Sequence, residues 1–330
     1  MFAIVLVGGF GTRLRPLTEG TPKQMLPICG VPMIQCVVDH LATHGVEEVG
    51  LSLGYHPDEF LIAYPDGQIS GIPFRVALEP EPRGTAGAVR FAADEFGVDD
   101  TFLALNGDVL TDLDISELIA FHRDHEAEAT IAVQPVRDPS GFGVVSVSDD
   151  GLVKEFVEKP EPGFAASNYI NAGTYVLEPS VIGRIPTGKE VSIERETFPE
   201  LVRAGTLYAM PSSSYWLDTG TPEQFIRANL DVLAGRRLRG ALVPLADVHS
   251  AARVVDSVIG ADSSIGAISV IERSVLFQNC EIHKETVIID SVLSDSVYVG
   301  AGARLERCVI GRGQRVEAGE HLIDVKRPKA

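Results

Sequence analysis

The stretch that decides the fold is IVLVGGFGTRLRPLT at residues 4–18, in which an apolar run meets three closely spaced glycines. The run Ile4 to Val7 predicts a buried first strand. Glycines at positions 8, 9 and 11 let the backbone approach a ligand closely and turn successive N–H groups toward an anion. Two cations, Arg13 and Lys23, follow and can pair with phosphate oxygens. The stretch therefore predicts a phosphate-binding loop at the carboxyl end of a strand.

Two familiar phosphate motifs do not fit this loop. No Gly-Lys-Ser or Gly-Lys-Thr follows the glycines, which excludes a P-loop. The spacing Gly9-x-Gly11-x-x-Leu14 has leucine where the dinucleotide-binding fingerprint has its third glycine. A phosphate-binding role for this loop would therefore use another motif, and for the glycine-rich turn taken alone a purely structural turn is the alternative.

Apolar runs and amphipathic stretches alternate through the first two thirds of the chain. The predicted strands are residues 4–7, 49–53, 102–105 and 130–133, and the predicted helices are residues 33–43, 85–96 and 115–126. Alternation of this kind is typical of parallel βαβ units, which build an α/β sheet with helices on both faces. Ligands bind such sheets at the carboxyl ends of the strands.

The composition of the sequence changes after residue 235, where small residues alternate with valine and isoleucine. A spacing of six joins Ile259, Ile265, Ile271 and Phe277. It recurs from Ile282 to Ile288, and from Val297 through Ala303 to Val309. A six-residue period with one aliphatic side chain predicts a parallel β-helix, here imperfect and of about four coils; a plain β-rich tail is the alternative. We expect a first domain over residues 1–235 and a β-helix domain over residues 236–330.

Composition excludes several classes of partner. The 330 residues carry a formal net charge of −18, which argues against nucleic acid as a partner. The apolar opening segment is short and has no basic residues before it, unlike a signal peptide or a membrane span. The four cysteines include no Cys-x-x-Cys pair, so we expect buried thiols in a reducing compartment. We predict a cytoplasmic protein without nucleic-acid or membrane partners.

The strings around the loop resemble a known family. GGxGTRLxPLT at residues 8–18, followed by Pro22-Lys23, is similar to the signature of the sugar-phosphate nucleotidyltransferases. The likeness continues in LNGD (105–108), FGV (142–144), VEKP (157–160), INAG (170–173) and WLDTG (216–220). It implies a Rossmann-like catalytic domain with a mixed, mostly parallel sheet, followed by the left-handed β-helix that several members append. Tracts 79–88, 157–178 and 192–218 most resemble mannose-1-phosphate guanylyltransferases.

The resemblance assigns the triphosphate machinery. Arg13 would stabilise charge on the departing pyrophosphate, Lys23 would hold phosphate oxygens, and Asp108 and Asp218 would bind Mg²⁺. Independently, Asp108 follows an apolar strand at the edge where sites form, although a turn-capping aspartate would look the same. The implied nucleotide-binding residues are Leu6, Gly8, Gly9, Gly11, Thr12, Arg13, Lys23, Glu79, Gly84, Thr85, Asn106 and Asp108.

A second group of residues is implied for the sugar phosphate. Lys159 would pair with the 1-phosphate, and Glu158 would accept hydrogen bonds from sugar hydroxyls; a solvated ion pair on a surface turn is the alternative. The amide of Asn171 offers both donors and acceptors for hydroxyls. Gly143 would let the sugar approach the backbone.

The base-binding segment is LEPEPRGTAG at residues 78–87. Relatives that use thymidine or uridine triphosphate have glutamine at the position of Glu79. A carboxylate only accepts hydrogen bonds, and guanine presents two adjacent donors, so Glu79 favours GTP. Glu81 is a rival for the same role, and an exposed acidic loop is the structural alternative.

These residues predict in-line attack of a sugar 1-phosphate oxygen on the α-phosphorus of GTP, with pyrophosphate leaving. The sugar is mannose by likeness, with a glucose or cyclitol phosphate open. One alternative is thymidylyl or uridylyl transfer to glucose 1-phosphate, and another is a non-catalytic regulatory subunit. An acyltransferase would need a catalytic histidine, for which His283 is the candidate. The flat faces of a β-helix favour a homo-oligomer formed through that domain.

Overall fold

The computed structural model describes residues 1–54, 57–161, 163, 165–237 and 246–329. The chain divides into two compact units. The first, Met1–Gly8 with Val37–Trp216, is called the sheet unit below. The second, Gly9–Cys36 with Leu217–Ala330, is called the coil unit. In the described ranges, no helix combines the length and apolarity needed to span a bilayer.

Strands and helices alternate up to residue 233. The strands are β1 (Phe2–Leu6), β2 (Pro27–Ile28), β3 (Val31–Pro32), β4 (Glu48–Leu53), β5 (Gln68–Ile69), β6 (Ile72–Leu78), β7 (Phe102–Asn106), β8 (Val109–Thr111), β9 (Ala129–Pro135), β10 (Gly143–Val147), β11 (Val153–Glu158), β12 (Tyr169–Leu177), β13 (Leu207–Pro211) and β14 (Trp216–Asp218). The helices are α1 (Met33–Thr43), α2 (Pro57–Ala63), α3 (Gly84–Phe96), α4 (Ile115–Asp124), α5 (Pro179–Arg184), α6 (Phe198–Ala204) and α7 (Pro222–Leu233). All seven elements that the sequence predicts here are present, with ends shifted by at most two residues.

The sheet unit is built on a mixed sheet. Strands β7, β1, β4 and β6 lie side by side and parallel. Leu6 pairs with Ser52 on one side and with Asn106 on the other, so three strands end together at one edge. Beyond β7 the pairing reverses, because β12 runs antiparallel to both β7 and β9. The prediction of an α/β unit is confirmed, and the antiparallel half is the part that apolar runs alone did not predict.

The strand order of the sheet is explained by the apolar side chains of its central strands. Ala3, Ile4 and Val5 of β1 are fully buried. Helix α3 packs its small buried residues, among them Ala86 and Val89, into the same core cluster. Small side chains let a helix approach the sheet closely, and the left-handed Gly97 then ends the helix. Because this core is buried, the ends of the strands are held in place. The polar residues that follow the strands therefore lie at the carboxyl edge of the sheet.

The C-terminal region forms a three-sided parallel β-helix. Its strands are β15 (Asp247–Val248), β16 (Arg253–Val255), β17 (Val258–Ile259), β18 (Ser264–Ile265), β19 (Val270–Glu272), β20 (Val275–Leu276), β21 (Glu281–Ile282), β22 (Val287–Ile289), β23 (Val292–Leu293), β24 (Tyr298–Val299), β25 (Arg304–Glu306), β26 (Val309–Ile310), β27 (Arg315–Val316), β28 (His321–Ile323) and β29 (Lys326–Arg327). Every third strand joins one of three five-stranded sheets. The predicted β-helix is confirmed, but over the described residues it has five coils rather than about four.

The coil is 17 residues long, which corrects the predicted period. Val254 pairs with Ile271 and Ile271 with Ile288, a step of 17 each time. Two sides of the triangle therefore take six residues and the third takes five. The core position after Ile271 belongs to Leu276 rather than Phe277, whose ring meets Phe225 instead. The frame slips in the sequence are these five-residue sides.

Candidate active site

The phosphate loop of the coil unit is closed by its own side chains. Gly11 has a φ of 58°, in the left-handed region, and begins a short 3₁₀ turn over Thr12–Leu14. Its carbonyl accepts hydrogen bonds from the Leu14 N–H and from the Thr18 hydroxyl, both at 2.9 Å. A Cβ at position 11 would lie 2.8 Å from the Thr18 methyl carbon. Only glycine fits this corner without displacing Thr18.

Three of the predicted catalytic residues lie together in the coil unit. Lys23 is 4% exposed, and its Nζ lies 3.8 Å from Oδ1 of Asp218. A Cβ built on Gly220 would lie 2.5 Å from Nη2 of Arg13 and 2.9 Å from Asp218 Oδ1. The Arg13 guanidinium therefore covers Gly220 beside the Asp218 carboxylate. Two cations and one carboxylate converge at the foot of the loop, an arrangement suited to an anionic ligand.

The strand ends of the sheet unit carry the other predicted nucleotide residues. Asp108 lies between β7 and β8, directly after the Asn106-Gly107 turn. The Gly107 N–H donates to the carbonyl of Leu6 at 2.9 Å, which joins the ends of β1 and β7. Asp108 thus stands at the carboxyl edge of the parallel strands, where α/β sheets bind ligands.

Glu79 is buried at the same edge. Its N–H continues the pairing of β6 with β4 by donating to Leu53 O at 2.8 Å. The Ser52 hydroxyl donates to Oε1 at 3.1 Å and the Arg83 N–H to Oε2 at 3.2 Å. Burial raises the pKa of the Glu79 carboxyl above its usual value, and these two hydrogen bonds oppose part of the rise.

The neighbourhood of Glu79 connects it with the glycine loop. A Cβ placed on Gly8 would be 3.6 Å from Oε1 of Glu79, so the carboxylate faces the first glycine of the signature. The rival carboxylate, Glu81, is exposed. The two glutamates of this segment therefore occupy opposite environments, and the exposed acidic loop that was the structural alternative describes Glu81 only.

Gly84 and Thr85 are engaged with a neighbouring segment. The carbonyl of Val191 accepts from the Ala86 N–H at 2.9 Å, and a Cβ on Gly84 would lie 2.5 Å from that oxygen. The Thr85 hydroxyl donates to Glu194 Oε2 at 2.7 Å and accepts from the Ile193 N–H at 2.8 Å. Thr85 therefore links the start of α3 to the π-helical turn Ile193–Thr197.

The predicted sugar-phosphate residues lie on paired strands. Gly143 and Glu158 are direct partners across β10 and β11, and a Cβ on Gly143 would lie 2.8 Å from Glu158 Oε2. Lys159 has a φ of 51° and is 60% exposed, with its Nζ 3.5 Å from Glu158 Oε1. The Glu158–Lys159 pair thus presents a partly buried carboxylate and an accessible ammonium.

Asn171 is held in a fixed orientation. Its Nδ2 donates to the Tyr175 hydroxyl at 2.9 Å, and its Oδ1 accepts from the Gly173 N–H at 3.0 Å. The register of β12 against β9 shifts between Asn171 and Tyr175, as at a β-bulge. A Cβ on Gly173 would lie 2.6 Å from Asn106 Nδ2, so Asn106 lies against the glycine whose N–H donates to Asn171.

Carboxylates gather around the buried Tyr175. Burial raises the pKa of its hydroxyl far above the usual value, and the negative charges of Glu194, Glu158 and Asp108 add to the rise. Burial also raises the pKa of Glu158, followed by repulsion from Glu194, while Lys159 acts in the opposite direction. Glu194 is the residue that sequence reasoning missed: it belongs to a tract noted for its likeness, but no pattern distinguished it from the glutamates beside it.

His283 does not join these residues. It lies in the β-helix, where Nε2 is 2.8 Å from Glu281 Oε1 and the ring meets Tyr298 with centroids 4.8 Å apart. Both partners stand on the same face of the coils. The geometry is that of a surface pair on a β-helix side.

Two family models match successive stretches of the chain. A family model described as nucleotidyl transferase matches residues 2–235, and one described as GlmU-like, C-terminal hexapeptide matches residues 240–325. The second match, with the three stacked parallel sheets, identifies the C-terminal region as a left-handed hexapeptide β-helix.

Several curated proteins and solved structures are similar. Mannose-1-phosphate guanylyltransferase of Mycobacterium tuberculosis is 40% identical over 83% of this chain and 79% of its own. Probable mannose-1-phosphate guanylyltransferase 3 of Oryza sativa subsp. japonica is 40% identical over 85% and 80%. A putative glucose-1-phosphate thymidylyltransferase from Bacillus anthracis has a TM-score of 0.63 and 27% identity, covering 69% of this chain and 94% of that one.

HddC from Yersinia pseudotuberculosis has a TM-score of 0.60 and 29% identity over 69% of this chain and 97% of its own. The family model spans well over half of the chain, and it includes the phosphate loop, Glu79, Asp108 and the Glu158–Lys159 pair. The chain belongs to the nucleotidyl transferase family.

Proposed function

We propose that this protein is a mannose-1-phosphate guanylyltransferase, which joins GTP and mannose 1-phosphate into a GDP-sugar and releases pyrophosphate. The observation that carries the choice of nucleotide is the buried Glu79 carboxylate facing Gly8 at the edge of the parallel strands. The relatives from Mycobacterium tuberculosis and Oryza sativa, which carry this activity in their names, support the choice of both substrates.

Glu79 would read the base. Its two oxygens accept one hydrogen bond each, from Ser52 and from Arg83 N–H, which leaves lone pairs for further donors. Guanine offers N1–H and its 2-amino group side by side, whereas thymine and uracil would set carbonyl oxygens against the carboxylate. A buried polar group left unpaired discriminates strongly between such ligands.

The triphosphate would be held by the loop from Gly8 to Arg13 and by Lys23. Transfer needs little covalent work from the protein, because the sugar phosphate is already ionised at neutral pH and no general base is required. One of its oxygens attacks the α-phosphorus of GTP while the bond to the β-phosphate oxygen breaks. Arg13 would stabilise the negative charge that develops on the departing pyrophosphate.

Asp108 and Asp218 are proposed as Mg²⁺ ligands. Their chemistry fits, since carboxylate oxygens are the protein ligands that a hard cation such as Mg²⁺ prefers. When bound, Mg²⁺ would neutralise charge on the phosphates. Oδ1 of Asp218 lies 3.8 Å from Nζ of Lys23. A phosphate group bound by Lys23 would therefore lie close to this proposed metal ligand.

The sugar phosphate would lie against Gly143, with Lys159 on its 1-phosphate and Glu158 and Asn171 on its hydroxyls. Glu194 is added to this group because its charge acts on both Glu158 and Tyr175. We further propose that residues 1–235 act as the catalytic domain, and that residues 236–330 associate copies of the chain into a homo-oligomer. The proposed location is the cytoplasm, where thiols such as the buried Cys280 and Cys308 stay reduced.

Pyrophosphate release over a matrix of substrates tests the proposal. GTP, dTTP, UTP and ATP would each be combined with mannose 1-phosphate and glucose 1-phosphate. The expected result is release with GTP and mannose 1-phosphate, and a loss of at least about 100-fold in Asp108→Asn. Equal or faster release with dTTP or UTP and glucose 1-phosphate would favour the thymidylyl or uridylyl alternative, and no release with any pair would favour a regulatory subunit.

A further inference from the structure

The last coil of the β-helix lies against the phosphate loop within the coil unit. Gly311 follows β26 and donates from its N–H to the carbonyl of Arg327 at 2.7 Å. A Cβ on Gly311 would lie 3.1 Å from Pro16 Cβ and 3.1 Å from Pro328 Cδ. The glycine therefore allows the end of the β-helix to pack directly on the signature loop.

A hydrogen bond joins the same two segments. The ammonium of Lys326, in β29, donates to the carbonyl oxygen of Arg13 at 2.8 Å. Neighbouring loop carbonyls take their donors from the loop itself: Thr12 O accepts from Arg15 N–H, and Leu14 O from Leu17 N–H. The Arg13 carbonyl takes a charged donor from a residue 313 positions away in the chain.

This contact acts on the backbone of a proposed catalytic residue. The guanidinium of Arg13 lies over Gly220 beside Asp218, as described above. Its main-chain carbonyl is held by the Lys326 ammonium. Fixing the peptide carbonyl limits rotation of the loop segment that carries the side chain, so the Lys326 contact reduces the number of orientations that Arg13 can sample before it meets phosphate.

We propose that Lys326 is a positioning residue for nucleotide binding, through which the final β-helix coil holds the phosphate loop ready for the triphosphate. The inference rests on the proposed function for the identity of the ligand, but not for the contact itself. It gives the β-helix a role within the same chain, separate from association between copies. Lys326 acts through Arg13 and has no assigned contact with substrate.

The test compares Lys326→Met with Lys326→Arg, which keeps a charged donor, and with Lys329→Met as the matched control. Lys329 is an exposed lysine three positions further on. Lys326→Met should raise KM for GTP by about 3- to 10-fold, the loss of one hydrogen bond, and leave KM for the sugar phosphate unchanged. Lys326→Arg should recover most of the affinity, and Lys329→Met should match the wild type.

Amide hydrogen exchange gives a readout that is independent of activity. Peptides that cover residues 10–18 should exchange faster in Lys326→Met than in wild type or Lys329→Met, while peptides from β1 and α3 stay unchanged. Wild-type exchange in this loop together with an unchanged KM for GTP would overturn the proposal, as would an equal rise of KM in Lys329→Met. If the wild type transfers no guanylyl group, the proposed function fails, and faster loop exchange in Lys326→Met still supports the positioning role.

Discussion

Glu79 and Glu81 stand two positions apart in one segment and have opposite surroundings. Glu79 is 7% exposed and hydrogen-bonded by Ser52 and the Arg83 N–H, whereas Glu81 is exposed. A buried carboxylate is costly unless it has partners, and its two present donors leave acceptor capacity open. The pair provides a variant and a control that differ in burial but not in chemistry.

Replacement of Glu79 by Gln should reverse the nucleotide preference. The amide keeps the size of the side chain but presents a donor to guanine N–H groups, so kcat/KM for GTP should fall by about 10- to 100-fold. The value for dTTP or UTP should rise in the same variant. Initial rates with each triphosphate at fixed mannose 1-phosphate measure both effects. Glu81→Gln should behave as the wild type; an unchanged GTP preference in Glu79→Gln would remove the base-reading role.

Glu158 should set the acidic limb of the pH profile, and the negative charge of Glu194 should affect where that limb lies. Burial and the charge of Glu194 raise the pKa of Glu158, so this carboxylate is protonated at a higher pH than an ordinary glutamate. The proton removes an acceptor for sugar hydroxyls, and kcat/KM for the sugar phosphate should fall as pH decreases through that pKa.

Glu194→Gln removes one of the charges that raise this pKa and should move the acidic limb to lower pH. The amide oxygen can still accept from Thr85 and Ser192, so the fold of the turn is kept. The ratio of variant to wild-type kcat/KM between pH 4.5 and 8 cancels ionisation of the substrate. Glu190→Gln, at an exposed position four residues before Glu194, is the control. An acidic limb that moves to higher pH in Glu194→Gln would contradict this expectation. So would a limb that moves to lower pH by the same amount in Glu190→Gln as in Glu194→Gln.

Sequence reasoning located Arg13, Lys23 and Asp218, which the coil unit brings together, because glycine, charge and order along the chain carry a strong pattern. It did not find Glu194, whose position depends on the Thr85 hydrogen bond across more than 100 residues of chain. Such a contact arises from packing of α3 against the π-helical turn, and no spacing along the chain encodes it. Nor did it anticipate that the Thr85 hydroxyl is engaged with that turn.

At the scale of elements, the phosphate loop depends on a left-handed corner. Gly11 and Gly20 both have positive φ, 58° and 76°. A Cβ on Gly11 meets the Thr18 methyl carbon at 2.8 Å, while a Cβ on Gly20 has nothing within 4 Å. At both positions alanine would pay conformational free energy for a left-handed backbone. Only at Gly11 would its methyl group also displace Thr18, which closes the loop.

Gly11→Ala should therefore raise KM for GTP by about 10-fold or more, while Gly20→Ala keeps a KM near that of the wild type. Gly20→Ala should lose stability on the order of 1 kcal/mol from the backbone alone, and Gly11→Ala should lose more because it also displaces Thr18. Steady-state kinetics with GTP as the varied substrate separates the two expectations. Equal rises in KM would mean that the Gly11–Thr18 contact has no particular part in nucleotide binding.

Elements with a strong hydrophobic pattern can be predicted from the sequence. Elements whose position depends on contacts between distant segments cannot. The run from Phe102 to Leu105 is apolar throughout and forms a central strand, as expected for a strand covered on both faces. The antiparallel partner β12 depends on a long return of the chain that no local pattern specifies. In the β-helix, the aliphatic repeat predicted the architecture, but the choice of Leu276 over Phe277 is made by the five-residue third side.

At the scale of the whole molecule, the β-helix is a stack of nearly identical coils. Its corners adopt left-handed φ at 17-residue intervals, and one corner alternates acid and base in the series Asp256, Arg273, Asp290, Arg307 and Asp324. Arg273 donates to Asp290 and Arg307 to Asp324, each one coil further along. Inside, Ser274 and Ser291 accept from the N–H of the residue one coil above. Side-chain hydrogen bonds thus join successive coils in the interior, and at this corner they join the coils two by two.

The buried aliphatic column should supply much of the stability of this stack. Ile288 is fully buried between neighbouring aliphatic side chains, so Ile288→Ala should destabilise the β-helix by about 2–5 kcal/mol. Ile268, which is 65% exposed at a corner, provides the control, and Ile268→Ala should change stability by less than about 1 kcal/mol. Denaturation followed by circular dichroism measures both. Equal effects would mean that the aliphatic column is not the core of the stack.

We propose that this protein converts GTP and a sugar 1-phosphate into a GDP-sugar and pyrophosphate. Phosphorus NMR of the purified protein with GTP, mannose 1-phosphate and Mg²⁺ follows every phosphorus atom in that reaction at once. The account predicts that a sugar-linked diphosphate and pyrophosphate appear in equal amounts as GTP and mannose 1-phosphate disappear together. Formation of GDP and orthophosphate, or loss of GTP with mannose 1-phosphate unconsumed, would contradict it.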